Sequence, residues 1–352
     1  MKEKTLPSAP GVLLIGVGGT GCELAAKCQP ARLRRLVGFD HAAMDDYDAA
    51  EILRLGGGPG DTDDMSPETI RHAAEEAATA LAEATQRGCD LAVFVGAIGG
   101  QTGSIVLPIL ASEVQSTGCT VLVVAVQPLP FEGASRANVA ARTIAALERS
   151  SDLILTVPNR PLGDLCDAAL PIDQALECLK RRTADALSQL LGALADGSCV
   201  GLQPADLRRA LSEAGRGAFG VGVGRGERRV EDALRDACGN SFLTQEICQQ
   251  ASSAILHLRG AKNISLREVY SATDLVATLV GHVPVQAGLS TDGTGDEVHA
   301  TLLVTGIRSP RPASGKADLL ASLSQFEDLS TYDGENLDVP TFIRRQTARV
   351  GQ

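Results

Sequence analysis

The chain has 352 residues, of which 44% are hydrophobic, and it carries a formal net charge of -11 at pH 7. A chain of this length can bury a sizeable core, and it indicates two domains rather than one. The acidic balance, the absence of tryptophan and the low content of other aromatic residues argue against a nucleic-acid-binding protein. We therefore expect no nucleic acid among its partners.

Cysteines, histidines and apolar runs narrow the class further. The nine cysteines include no Cys-x-x-Cys pair, which suits a reducing cytoplasm better than a disulfide framework. The five histidines do not pair at ligand spacing, so the sequence predicts no metal-ligand residues. No apolar stretch approaches the roughly 20 residues of a membrane span, and the first residues lack a hydrophobic signal core. We expect a cytoplasmic protein.

The first half of the chain alternates short β-rich runs with helical patterns, which is typical of a parallel sheet covered on both faces. Strands are predicted at residues 12–15, 35–39, 91–95, 120–126 and 153–156. Helices are predicted at residues 23–28, 68–87, 105–116 and 134–149. A continuous apolar face then predicts a long helix over residues 172–194.

The second half follows a different pattern. Residues 200–307 combine a helix, strands and a second helix near residues 266–280, with an alternating strand at residues 298–304. This pattern predicts a smaller α+β domain. Beyond it lies a linker rich in Pro, Gly and Ser, and then a tail with a compact apolar cluster at Leu337, Val339, Phe342 and Ile343. Clusters of this kind in a tail often dock on a partner.

Two glycine-rich turns follow predicted strands, GVGGTG at residues 16–21 and GGQTGS at residues 99–104. Glycines at such a place let backbone N–H groups approach a phosphate, with the positive end of the next helix behind them. The first turn alone, with Asp40 about 20 residues further on, is typical of an NAD-binding or adenylating enzyme. It is also compatible with a turn that only packs a helix against a strand. Two turns at neighbouring strand ends favour one nucleotide held across several loops.

At this point the sequence resembles the tubulin/FtsZ family. GGQTGS is similar to the family signature GGGTG, and GVGGTG resembles the first phosphate loop. VGFDHAAM, LGGGPG, VQPLPFEGASR and SDLILTVPNR resemble, in order, further loops around the nucleotide. GRGERRVEDALRDACGNSFL and GDEVHATLLVTGI resemble the second domain, and NLDVPTFIRRQ resembles the C-terminal recognition peptide. The resemblance covers residues 11–307 and the tail.

The resemblance implies the tubulin/FtsZ fold. Its parts are a Rossmann-like, parallel-sheet GTP-binding domain (1–170), a long central helix (171–198), a smaller α+β activation domain (199–307), a linker (308–334) and a partner-binding tail (335–352). It implies a cytoskeletal protein that binds GTP and GDP, with Mg²⁺ as a further expectation, and that stacks head to tail into filaments of the bacterial division ring. We expect self-association, another FtsZ as a partner, and a cytoplasmic location at the division site.

The family's functional residues carry over position by position. The nucleotide-facing positions are Gly18, Gly19, Thr20, Gly21, Cys22, Asp40, Gly99, Gly100, Gln101, Thr102, Gly103, Ser104, Glu132, Arg136, Asn159, Leu176 and Lys180. The tail positions expected to bind a membrane-tethering division protein are Leu337, Asp338, Val339, Pro340, Phe342 and Ile343.

The catalytic loop departs from the family. In the family, the next subunit completes the hydrolytic site with a loop that reads Asn-x-Asp-Phe-x-Asp, which corresponds to residues 201–206 here. Asp206 keeps the last carboxylate, but Gln203 replaces the first Asp. A Gln can orient a water but cannot act as a carboxylate base. We expect Asp206 and Gln203 to be the catalytic residues of a GTPase whose hydrolysis is slow or absent.

The base pocket departs as well. Leu176 and Lys180 stand where the family places a Phe and an Asp or Asn, and an ammonium group donates hydrogen bonds but accepts none. Three functions stay open: a divergent FtsZ with GTPase activity, a non-hydrolysing paralogue that modulates or copolymerises with an active FtsZ, and a Rossmann-type NAD-binding or adenylating enzyme.

Some of these residues also have purely structural interpretations. Glu132 and Arg136, four positions apart, are compatible with a surface ion pair. Cys22 is typical of a small buried apolar residue rather than a reactive thiol. Lys180 belongs to a charge run that is compatible with a solvated helix face.

Overall fold

A computed structural model describes residues 11–28, 33–38, 51–55, 65–85, 89–157, 170–195, 209–211, 214–239, 243–260, 263–281, 283–291 and 296–307. The strands are β1 (Val12–Val17), β2 (Leu33–Gly38), β3 (Glu51–Arg54), β4 (Leu91–Ala97), β5 (Thr120–Val126), β6 (Leu153–Val157), β7 (Gly215–Gly224), β8 (Ser253–Gly260), β9 (Val285–Thr291) and β10 (Val298–Ile307). The helices are α1 (Gly18–Lys27), α2 (Pro67–Thr85), α3 (Gln101–Ser116), α4 (Ala134–Ser150), α5 (Ile172–Ala195), α6 (Arg229–Gly239), α7 (Gln245–Gln250) and α8 (Leu266–Leu279). A 3-10 turn covers Pro130–Glu132.

The strands form one 10-stranded sheet in the order β3-β2-β1-β4-β5-β6-β7-β10-β8-β9. Every neighbouring pair from β3 to β7 runs parallel. Strand β10 is antiparallel to both β7 and β8, and β9 is parallel to β8. The predicted α/β class with a mostly parallel sheet is confirmed. Because parallel strands end at a common edge, the turns after β1 and β4 lie side by side.

The strands of the first half are buried on both faces, as their nearly continuous apolar runs require. On one face, Phe94 of β4 packs into a core formed with α2, α3 and α4. On the other face, Val93 and Val95 of the same strand pack with α1 and α5. Burying a side chain of this size contributes about 1.5–3 kcal/mol. Helices α1 and α3, which follow the two glycine-rich turns, are therefore packed firmly against the sheet.

The C-terminal strands β7, β8 and β10 share a separate core with α6 and α8. Strand β7 reads GRGAFGVGVG, a glycine-rich run that did not predict a strand. The glycines allow α6 to pack very close to this strand, since a β-carbon on Gly222 would lie 2.2 Å from the carbonyl oxygen of Ala233. Tertiary packing thus overrides the low strand propensity of glycine here.

The predicted helix starts were too late at the two glycine-rich turns. Helix α1 begins at Gly18 rather than at residue 23, and α3 begins at Gln101 rather than at residue 105. Gly18, Gly19, Gly21 and Gly103, which were expected to form loops, lie in the first turns of the helices. Strand β3 was not predicted either. The other predicted elements are present with ends shifted by a few residues, which is the usual uncertainty of helix and strand ends.

The predicted domain boundaries stay a prediction, and the sheet continues from β6 to β7 through three residue pairs. The linker and the tail cluster lie outside the described residues. Among the described helices, none combines the length and the apolarity needed to cross a membrane. The described residues also contain no group of three or more His, Cys, Asp or Glu side chains suited to a metal ion.

Candidate functional site

The two glycine-rich turns meet at the carboxyl edge of the sheet. Strands β1 and β4 are parallel neighbours, with Val17 opposite Gly96. Each strand leads into a helix, α1 at Gly18 and α3 at Gln101. A β-carbon built on Gly18 would lie 3.6 Å from Cγ2 of Thr102, so the first turns of the two helices are in contact distance. The predicted meeting of the two turns is therefore present in the structure.

Some glycines in these turns serve packing. A β-carbon on Gly21 would lie 2.3 Å from the carbonyl oxygen of Val95, and one on Gly103 would lie 1.9 Å from that of Ala97. Neither distance is possible for a real side chain, because the atoms would overlap. These positions let α1 and α3 lie directly on β4, which is the packing interpretation of such motifs.

Other glycines in the same turns face open space. A β-carbon on Gly19 or Gly100 would meet nothing within 4 Å. Gly18 and Gly99 have φ of +70° and +101°, a conformation that favours glycine. The first N–H groups of a helix have no partner within the helix and point out of its amino end. Two such ends, side by side and without side chains in front of them, form a site suited to an anion.

A cavity of about 310 Å³ opens in front of these helix ends. Ten predicted nucleotide-facing positions line it: Gly18, Gly19, Thr20, Gly100, Thr102, Gly103, Glu132, Arg136, Leu176 and Lys180. The sequence missed a further set, Val17, Leu24, Ala97, Ile98, Val126, Gln127, Pro128, Leu129, Leu179 and Thr183. Residues 126–129 lie at and directly after the carboxyl end of β5, the neighbour of β4, so the strand-end rule alone could have found them.

The remaining predicted positions fall into two groups. Gly21, Cys22, Gly99, Gln101 and Ser104 are described but do not line the cavity. Ser104 is buried, and its hydroxyl accepts a hydrogen bond from the N–H of Gly99 at 2.9 Å, so it holds the second turn in shape. Asp40 and Asn159, together with the catalytic candidates Gln203 and Asp206, lie outside the described residues.

Glu132, at the end of the 3-10 turn, forms an ion pair with Arg136 in the first turn of α4, and both residues line the cavity. The other oxygen of Glu132 accepts the N–H of Leu129 at 2.7 Å, which fixes the carboxylate. The Arg136 side chain is 57% exposed, so solvent screens the pair and its contribution to stability is small. The ion pair is present, and the role of the two residues in nucleotide binding stays a prediction.

Comparison with known sequences shows which proteins this chain resembles. A family model described as Tubulin/FtsZ family, GTPase domain, matches residues 60–167. The cell division protein FtsZ of Pseudomonas aeruginosa is 27% identical over 359 residues, covering 96% of this chain and 89% of that protein. FtsZ of Coxiella burnetii is 26% identical, covering 97% of this chain and 90% of that protein.

Solved structures share the fold. An empty FtsZ dimer from M. jannaschii superposes with a TM-score of 0.75 at 20% identity, covering 86% of this chain and 89% of that one. The GTPγS-bound CetZ2 protofilament of Haloferax volcanii superposes with a TM-score of 0.68 at 19% identity, covering 89% of this chain and 96% of that one. The chain is a divergent FtsZ-like protein. The family resemblance predicted from the motifs is confirmed.

The FtsZ-like protein has a chain of alternating charges between α1 and α5. The ammonium of Lys180 lies 2.7 Å from Oε2 of Glu23, and that of Lys27 lies 2.9 Å from Oε1. Lys27 also pairs with Glu177 of α5 at 2.7 Å. Burial would raise the pKa of Glu23, but the hydrogen bonds from Lys180 and Lys27 outweigh it and hold that pKa below its usual value. Lys180 is thus fixed at the cavity wall and is not part of a freely solvated face.

Two further predicted positions of the FtsZ-like protein, Cys22 and Gln101, do not line the cavity. The Cys22 thiol is 1% exposed and donates towards the carbonyl oxygens of Gly16 and Val37, at 3.4 and 3.6 Å. Burial raises its pKa to about 12, so the buried-residue interpretation of Cys22 holds. Gln101 stands at the start of α3, and its buried Oε1 has no hydrogen-bond partner in the described part of the chain.

Proposed function

We propose that this FtsZ-like protein binds GTP and GDP in the cavity and polymerises head to tail into filaments that act in bacterial cell division. The observation that carries the proposal is that the amino ends of α1 and α3 open onto one cavity. Its volume of about 310 Å³ lies at the lower end of the usual range for ligand sites. Open space in front of Gly19 and Gly100 fits a polyphosphate at this place.

In this proposal, different parts of the cavity wall face different parts of the nucleotide. The triphosphate lies against the first turns of α1 and α3, where backbone N–H groups and the helix dipoles stabilise negative charge. Arg136 and Glu132 line the cavity beyond the second turn and face the sugar, in agreement with the family resemblance. Leu176 and Leu179 of α5 give the cavity an apolar wall for the base. An accompanying Mg²⁺ would be held mainly by phosphate oxygens and water.

Hydrolysis in this proposal requires a second copy of the chain. Asp206 and Gln203 of the next subunit approach the γ-phosphate, and Gln203 orients the water without removing its proton. Turnover is therefore slow. Phosphoryl transfer depends mainly on positioning and on charge neutralisation, so a site with one carboxylate fewer loses rate rather than nucleotide affinity.

Exposed apolar side chains support self-association. Phe131 is 65% exposed and directly precedes Glu132, and Ile172 at the start of α5 is 56% exposed. Leu266 and Tyr270 of α8 are 75% and 68% exposed and lie one helical turn apart. Exposed apolar patches often mark contact surfaces between proteins. We propose that the tail residues 335–352 bind a membrane-tethering division protein and bring the filament to the division site.

A matched pair of variants tests the site. Gly19→Asp places a carboxylate in the open space before α1, and we expect it to weaken GTP binding at least about tenfold by charge repulsion. Gly19→Ala fills little of that space and keeps GTP affinity within about threefold. Equilibrium binding of GTP, GDP and ATP, followed by sedimentation of filaments, measures both steps. Equal binding by the two variants contradicts the site, and tight NAD binding without filaments favours a Rossmann-type enzyme.

The non-hydrolysing paralogue is the second candidate function. The replacement of a catalytic carboxylate by Gln203 favours it. A mixing experiment separates the two functions. Filaments that form with GTP from the purified chain alone, with turnover rising steeply with protein concentration, support the autonomous GTPase. Filaments that form only after addition of an active FtsZ support the paralogue.

A further inference from the structure

The α5 wall of the cavity presents one positively charged donor. Lys180 lines the cavity, and its ammonium is held 2.7 Å from Oε2 of Glu23 on α1. Glu23 is held in turn by Lys27, and Lys27 by Glu177, so the position of the ammonium is set by two helices. Only one of its three N–H donors is needed by Glu23. Among the described residues no second ion pair holds the ammonium, so its other donors are available to a ligand.

The rest of that wall is apolar or satisfied. Leu179 packs with Leu129, and Leu176 packs against this pair. The Thr183 hydroxyl donates to the carbonyl oxygen of Leu179 at 2.9 Å, within its own helix. Of the four residues that α5 contributes to the cavity, Lys180 alone offers unused N–H donors. An apolar surface with one donor at its side is suited to a planar base rather than to a phosphate.

The chemistry of the donor decides which bases fit. A 6-oxopurine presents an oxygen acceptor at position 6, whereas adenine presents an amino group there, which cannot accept. An ammonium also cannot accept a hydrogen bond from the 2-amino group of guanine, so that group is not read by Lys180. A site built to pair with a polar group rejects an analogue that lacks it, because its own donor is left unpaired.

On the basis of the proposed nucleotide site, we propose that Lys180, positioned by Glu23, selects 6-oxopurine nucleotides as a class by donating to the 6-oxo group. GTP, ITP and XTP are then comparable ligands, and ATP is disfavoured. Lys180 is the specificity-determining residue, and Glu23 is a positioning residue that acts through it.

Equilibrium binding of GTP, ITP, XTP and ATP to the full chain tests this assignment. We expect the first three nucleotides to bind within about threefold of each other, and ATP to bind at least about tenfold more weakly. Lys180→Met is expected to bring ATP to within about threefold of GTP, since no donor then distinguishes them. Lys180→Arg keeps a donor and should keep the preference. Glu23→Gln should weaken the preference without abolishing nucleotide binding.

Arg181→Met is the matched control, because Arg181 is an exposed residue of the same helix that does not line the cavity. It should bind all four nucleotides as the unmodified chain does. XTP or ITP binding more than about tenfold more weakly than GTP overturns the assignment. An equal loss of affinity for all four nucleotides in Lys180→Met also overturns the assignment, because it would mean that the ammonium contacts a phosphate. If the unmodified chain binds none of them, the proposed nucleotide function itself is wrong.

Discussion

Gly18 and Thr102 lie next to each other although 84 positions separate them in the sequence: a β-carbon on Gly18 would be 3.6 Å from Cγ2 of Thr102. This contact joins the first turn of α1 to the first turn of α3. Because both turns open onto one cavity, a ligand bound there is contacted by two helix ends at once. Substitutions of individual glycines in these turns can therefore distinguish the glycines needed for helix packing from those that leave space for a ligand.

Gly103→Ala and Gly100→Ala form such a comparison. The new β-carbon in Gly103→Ala would lie 1.9 Å from the carbonyl oxygen of Ala97, so α3 must move off the sheet. We expect the free energy of unfolding to fall by about 1–3 kcal/mol, as in other overpacked cores. Gly100→Ala meets nothing within 4 Å and should unfold like the original chain. Urea denaturation of both variants measures the difference, and similar stabilities would show that α3 can shift freely.

Glu268 is expected to make stability depend on pH. Its carboxylate accepts the N–H of Ser265 at 2.7 Å and pairs with Arg229 at 3.0 Å. Burial would raise the pKa of Glu268, but these partners outweigh it and lower the pKa below its ordinary value of 4.5. A lowered folded-state pKa contributes stability that is complete above the unfolded-state value and is lost as the pH falls through the folded-state value.

Glu268→Gln should therefore destabilise the protein by about 1–2 kcal/mol at neutral pH, with a smaller difference below about pH 4. Unfolding free energies of the variant and the original chain, measured across that range, give the result. Glu231→Gln is a suitable control, because Glu231 is exposed on α6. A difference that stays constant with pH would mean that the charge of Glu268 contributes nothing.

Cys22 should resist thiol reagents in the folded protein, and Cys89 should not. With a pKa of about 12, roughly one Cys22 thiol in ten thousand is ionised at pH 8, and the side chain is buried as well. The Cys119 thiol lies 3.3 Å from the sulfur of Cys89, and its hydrogen bond keeps the pKa of the half-buried Cys89 below its ordinary value.

Mass spectrometry after a brief treatment with N-ethylmaleimide measures the labelled fraction of each cysteine. Labelling in urea provides the reference for complete reaction. Equal labelling of Cys22 and Cys89 in the native protein would contradict the burial of Cys22.

The catalytic loop provides a test of rate. If Asp206 acts in the next subunit's site, Asp206→Ala should lower GTP turnover about a hundredfold and leave GTP affinity unchanged. Gln203→Asp restores a carboxylate and should raise turnover about tenfold. Steady-state phosphate release at several protein concentrations measures both changes. Turnover that does not change in Asp206→Ala would remove this residue from the mechanism.

The sequence predicted the sheet and the meeting of the two glycine-rich turns for a physical reason. The apolar run of residues 120–126, rich in β-branched side chains, is typical of a buried strand. Two glycine-rich turns at neighbouring strand ends favour an anion site, although some of their glycines serve packing. The helix starts were wrong because the local pattern does not reveal that Gly18 and Gln101 already continue into helices, which depends on contacts with β4. Strand β7 was missed because its glycines are explained only by the close packing of α6 against them, which the local sequence does not reveal.

The fate of individual polar residues was less predictable. The sequence suggested that Ser104 faces a ligand, whereas its hydroxyl accepts from Gly99 within the turn. Lys180 carried no sign of its partner, because Glu23 is 157 positions away and on another helix. Side-chain pairing across helices depends on the three-dimensional arrangement, which periodicity does not encode.

The crowding around Gly21 and Gly103 has an evolutionary consequence. A descendant of this chain that lost every ligand would still have to retain both glycines, because any larger residue pushes a helix off the sheet. Natural selection for folding alone can preserve part of the motif long after its chemistry has disappeared. No such crowding exists at positions 19 and 100. Bulky or acidic residues at these two positions in a related chain would therefore indicate better that the chain no longer binds a nucleotide.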